Sequence, residues 1–217
     1  MKRLILSLAI LLAAAPVWAK EYKYNQRNAE DIMRVCATCH GEFGQGGGGG
    51  VYPRVAGLPD VYIAQELRRF KSKVRENIPM LPYATERDLP EADLRDISTY
   101  IAGIKLENRM PAIEGHMDGY ERLMIAKKIL QIPKHPGGDE ERGKEIYMDD
   151  CATCHGRKGL GKEETPQLMG QHIQYLQAQL PLFIKGMRKH KDTDIIFAKR
   201  SPKDIDDLMT YLSILDD

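Results

Sequence analysis

The residues best suited to chemistry in this chain are its four cysteines, and they come as two pairs. Cys36 and Cys39 are followed at once by His40, and Cys151 and Cys154 by His155. The six letters CATCHG stand at 36–41 and again, unchanged, at 151–156. Cys-x-x-Cys-His is the attachment pattern of a c-type haem: two thiols add across the porphyrin vinyl groups, and the adjacent histidine becomes a proximal iron ligand. A thioredoxin-like redox pair needs a strand before it and a βαβ setting, and neither is visible. A structural zinc site needs both pairs in one tetrahedral arrangement. Two pairs 115 residues apart, each with its own trailing histidine, fit that poorly.

The duplication runs past the motif. Pro53-x-x-x-Gly57 matches Pro166-x-x-x-Gly170, and Tyr62, Leu67 and Phe70 match Tyr175, Leu180 and Phe183, as Arg75 matches Arg188, all at an offset of 113. Asp93-Leu94 and Tyr100 match Asp204-Ile205 and Tyr211 at an offset of 111. The order is kept while the offset drifts by four residues, which marks an internal repeat.

Each copy reads as helix, CATCH loop, helix, loop, helix. First helices are expected over 28–35 and from Asp139, where Glu140 and Glu141 suit the helix dipole. Middle helices are expected over 59–73 and 171–185, and last helices after Leu89-Pro90 and Ser201-Pro202, where proline suits a first turn. Little alternates with period two, so the fold class is all-α: two tandem domains, each of three main helices around one covalently bound haem. The expected boundaries are 20–104 and 139–217, with a linker at 105–138 that carries a packed helix at 120–130. The glycine tract 46–50 is expected to be a flexible, exposed loop.

Composition agrees. Among 217 residues, 32 Lys and Arg face 31 Asp and Glu, and this near-neutral balance gives no case for nucleic acid. Residues 1–19 combine Lys2 and Arg3, an apolar run from Leu4 to Ala15 that Pro16 closes early, and Val17-Trp18-Ala19 as a cleavage site. That is a signal peptide rather than a membrane span, and it predicts a periplasmic protein with at most peripheral membrane association.

With these motifs in place, the chain resembles the two-domain class I cytochromes c of the cytochrome c4 type, over residues 28–104 and 139–215. The resemblance implies two haem c groups, with His40 and His155 as proximal ligands and the carbonyls of Pro53 and Pro166 accepting their ring N–H. It also implies that Arg75 and Arg188 pair with haem propionates. Its sixth-ligand position in the first copy falls on Met80, in a loop stiffened by Pro79 and Pro82. The second copy departs from the pattern: between Arg188 and Ile205 there is no methionine. His190, Met187, Met169 and Lys191 remain as candidate ligands, or the position is open. His116, His135 and His172 are expected to be surface residues, and Met33 and Met148 packing residues.

The function implied is that of an electron carrier or relay. Its partners would be a dehydrogenase subunit, another cytochrome or a terminal oxidase or reductase. The alternative is a dihaem oxidoreductase, a peroxidase or a thiosulfate dehydrogenase-like enzyme, with catalysis at the second haem. Two-haem thiosulfate dehydrogenases characteristically place a cysteine on the catalytic iron, and here all four cysteines are used in attachment.

Overall fold

The computed structural model describes residues 22–112, 115–191, 196, 197 and 199–215. The expected signal peptide at 1–19 lies outside them. Among the described residues there is no sheet, only isolated bridges, and no helix is long and apolar enough to cross a membrane.

Helix α1, Gln26–His40, starts at Asn25, whose side chain accepts the Asn28 N–H and so satisfies one orphan donor of the first turn. It buries Ala29 and Met33, four residues apart on one face. The helix runs on through the whole CATCH motif, beyond the expected 28–35, because nothing in VCATCH breaks it before Gly41. There the backbone turns to φ 81°, ψ 155°, a conformation essentially reserved for glycine. The second copy builds the same corner in two pieces. Helix α5, Glu140–Asp150, is capped by Asp139, and the short α6, Ala152–His155, ends at Gly156 with φ 81°, ψ 153°. CATCHG is thus the end of a helix followed by an obligatory glycine, not a loop.

Helices α2, Asp60–Lys71, and α3, Glu91–Ala102, complete the first domain, with α1 and α2 both packed on α3. Helices α7, Ile173–Ile184, and α8, Pro202–Ser213, complete the second, with α5 and α7 on α8. Ser201 and Asp204 bond reciprocally across the first turn of α8, a capping box. Each domain has its own core: Met33, Leu58, Ile63, Leu94, Ile97 and Ile101 in the first, and Ile146, Tyr147, Ile173, Leu208, Met209 and Leu212 in the second. Met148 packs at the edge of that second core. Burial of such side chains contributes roughly 1.5–3 kcal/mol each.

Between the domains, α4, Gly119–Ala126, is capped by Asp118 and Glu121 and is shorter than the expected 120–130. Past it the chain returns on itself, with the Leu130 N–H donating to the Glu107 carbonyl at 2.7 Å, so the two ends of the connection lie side by side.

The glycine tract is not a free loop. Gly47 bridges Tyr52, 48–50 form a 3₁₀ turn, and Gly50 is buried. A Cβ on Gly46 would run into the His172 ring and come within 2.8 Å of the Tyr52 carbonyl, and one on Gly50 would strike the Gln174 amide. Glycine is required here because the second domain comes down directly on this backbone.

Candidate haem sites

The His40 ring sits with Nδ1 2.9 Å from the Pro53 carbonyl, and the His155 ring with Nδ1 2.8 Å from the Pro166 carbonyl. A carbonyl can only accept, so Nδ1 carries the proton in both rings and the lone pair lies on Nε2, the nitrogen left for a metal. Burial lowers the pKa of both imidazoles, and His190 facing His155 lowers the latter further. Burial also pushes the thiols up, Cys36 to about 11 and Cys151 to about 12. A raised pKa at the first thiol of each pair is the opposite of what a redox dithiol would stabilise. Among the described residues no group of three or more His, Cys, Asp or Glu forms a metal site.

The candidate sixth-ligand residues are placed differently in the two domains. Met80 closes the 3₁₀ turn Ile78–Met80, where the Asn77 side chain accepts the Met80 N–H and fixes the turn, and it is half-buried. In the second domain the His190 ring lies 6.2 Å from the His155 ring, centre to centre, with the planes inclined by only 18°. Phe183 meets the His190 ring edge-on at 5.2 Å, and Phe197 flanks it at 5.5 Å. Of the other candidates, Met187 is 56% exposed, Lys191 is exposed, and Met169 is half-buried, its carbonyl taken by Arg54.

The domains meet across a polar cluster built from matched positions of the repeat. Arg188 donates to Tyr175 at 3.1 Å, Gln179 at 2.9 Å, Tyr62 at 2.5 Å and Glu66 at 3.2 Å. Arg75 donates to Glu66, Tyr175 and Gln179. Both arginines line one cleft between the domains, with Lys73 and Met187. Burial tends to push the Glu66 carboxyl up, but Arg75, Arg188 and Arg69 outweigh it and hold the group below its usual range. Burial likewise works against the Arg188 charge, but Tyr175, Tyr62 and Glu66 hold its pKa above the ordinary arginine value. One carboxylate therefore faces several guanidiniums, and the buried Arg188 Nε has no hydrogen-bond partner. An excess of positive charge and an orphaned donor at the domain boundary are what carboxylates such as haem propionates would complete, so the residues fit the group.

A second contact joins the loops behind the histidines. Gln171 accepts the Arg54 N–H and donates to the Arg54 carbonyl, both at 2.9 Å, and the Arg54 guanidinium reaches the Met169 carbonyl at 3.0 Å. His172, expected at the surface, is instead half-buried between the domains, its Nε2 donating to the Gln45 carbonyl at 2.8 Å. His135 is also half-buried, 2.6 Å from Asp206, while His116 is exposed. Sequence reasoning missed Glu66, Arg54 and Gln171. The one available signal was a polar residue at the same position of both middle helices, Glu66 and Gln179, 113 apart.

The family model for cytochrome c matches residues 27–105 and again 140–216. The chain belongs to the cytochrome c family. It is 31% identical to a thiosulfate dehydrogenase electron acceptor of Thiomonas intermedia, over 83% of this chain and 76% of that one. It is 30% identical to cytochrome c4 of Pseudomonas aeruginosa, over 82% of each. The crystal structure of reduced cytochrome c4 from Pseudomonas stutzeri superposes with a TM-score of 0.65 and 25% identity, covering 89% of this chain and all of that one. This cytochrome is a dihaem electron carrier similar to cytochrome c4, with one covalently bound haem c in each domain.

Proposed function

We propose that this cytochrome is a periplasmic relay that takes electrons from a sulfur-oxidising dehydrogenase acting on thiosulfate and hands them to another cytochrome or a terminal oxidase. The support is the kinship with a protein that bears the name of such an acceptor, together with a signal-peptide pattern at 1–19. When bound, each haem supplies a one-electron iron couple. In this reading Cys36 and Cys39 hold the first haem and Cys151 and Cys154 the second. His40 and His155 supply Nε2 to the irons. The Pro53 and Pro166 carbonyls hold each ring by its Nδ1–H, which fixes orientation and raises ligand basicity. Met80 supplies a thioether from its capped turn, and Arg75 and Arg188 neutralise propionates at the domain boundary.

The observation that carries the relay is the interdomain cluster. Two domains, each with an attachment site and the same histidine–proline hydrogen bond, are joined by one buried contact in which Arg188 reaches both. Such packing fixes the separation and orientation of two redox centres. The near-neutral charge balance implies weak electrostatic steering, so docking depends on local shape more than on long-range field.

The test is anaerobic stopped-flow spectroscopy on the oxidised holoprotein. Thiosulfate with a catalytic amount of a thiosulfate dehydrogenase should reduce the cytochrome, and thiosulfate alone should not. Reduction by thiosulfate alone would make the protein the enzyme. Failure with the dehydrogenase would remove it as that enzyme's acceptor.

A further inference from the structure

We propose that His190 is the sixth ligand of the C-terminal haem, so that the second domain holds its iron between two histidines while the first uses His40 and Met80. The inference rests on the two-haem reading above and deepens it. The carrying observation is the spacing of the rings. Two metal–imidazole bonds of about 2 Å each, with roughly an ångström more from each nitrogen to its ring centre, place two rings that share one metal about 6 Å apart. The His155 and His190 centres are 6.2 Å apart and nearly parallel.

Tautomers agree. His190 Nδ1 lies 2.6 Å from the Lys191 carbonyl, as His155 Nδ1 lies 2.8 Å from the Pro166 carbonyl. In each neutral ring this leaves the lone pair on Nε2. Phe183 and Phe197 wall the His190 ring on two sides. That restricts its rotation and lowers the local polarity, both of which favour a fixed ligand. The competing side chains are placed less well: Met187 and Lys191 are exposed, and no methionine stands between Arg188 and Ile205.

The consequence is polarity. A methionine opposite the proximal histidine raises a haem's potential relative to other ligation. The C-terminal domain is then the lower-potential end of the relay and the N-terminal domain the higher, although both grew from one repeat.

The experiment uses full-length holoprotein whose mass shows two covalent haems. Electron paramagnetic resonance and near-infrared magnetic circular dichroism of the oxidised wild type should show one His/Met and one bis-histidine low-spin centre. His190→Ala should turn half of the total haem high-spin and let the reduced protein bind one carbon monoxide per molecule, and added imidazole should reverse the spin change. His190→Met should raise the lower midpoint potential and leave the upper one in place. Met187→Ala and Lys191→Ala should change neither signal. A wild type with two His/Met centres or a high-spin haem overturns the assignment without any variant. So does a His190→Ala protein with both spin states and potentials unchanged. A wild-type mass without haem overturns the two-haem reading itself, which is a different failure.

Discussion

Gln171→Leu tests how the two domains are joined, and its effect can be worked from the contacts. The Gln171 amide makes two hydrogen bonds of 2.9 Å with the backbone of Arg54, one as acceptor and one as donor, and both are buried. Leucine keeps much of the volume and removes both partners. Each bond contributes about 1 kcal/mol, and a buried backbone group left without a partner costs roughly 1–3 kcal/mol. The expected loss is about 2–5 kcal/mol, which for a chain of this size lowers the melting temperature by roughly 5–15 °C. The location makes the prediction sharper than a stability change. Arg54 follows Pro53, whose carbonyl holds the His40 ring, so a substitution in the second domain loosens the histidine of the first. Calorimetry should show the two halves melting separately, and a redox titration should show the N-terminal haem's potential moving. The reasoning fails if the melting curve stays unchanged, or if only the C-terminal haem responds.

Two further perturbations address the same interface. Glu66→Gln removes the carboxylate that Arg75 and Arg188 share, and breaking a buried pair of this kind costs about 3–5 kcal/mol. Because the folded pKa of Glu66 is depressed, the wild-type contribution is complete above the ordinary carboxylate pKa of 4.5 and is lost as pH falls through the lower folded value. Urea midpoints measured down through that window should therefore fall more steeply for wild type than for Glu66→Gln. Gly46→Ala places a Cβ against the His172 ring at φ 96°, where strain alone costs about 1–3 kcal/mol. It should lower the urea midpoint and break the His172–Gln45 contact, seen as loss of exchange protection at the His172 ring proton.

What the sequence made legible is what lies close together along the chain. CATCHG fixed the attachment sites because two thiols, a histidine and a helix-ending glycine must all sit within six residues. The prolines at 53 and 166 followed from the repeat, and each lies next to its histidine in space. The interface was not legible, since its partners are 100 or more residues apart and have no spacing rule. Gln171 and Arg54 carry no signature, and five consecutive glycines read as freedom when two of them, Gly46 and Gly50, are room left for His172 and Gln174.

Comparing the copies at matched positions recovers part of what the motif search could not. The copies agree at the cysteines, the histidines and the prolines of the proposed haem sites, and also at the tyrosines and arginines of the interface. Glu66 against Gln179 gives the interface a single carboxylate, so two arginines related by the repeat converge on one anion instead of each keeping its own. Met80 has no methionine counterpart within the segment between Arg188 and Ile205, and there the second copy offers His190. A tandem repeat with two equivalent sites has no inherent direction for an electron. The differences at these few positions, and not the shared motif, are what can give it one.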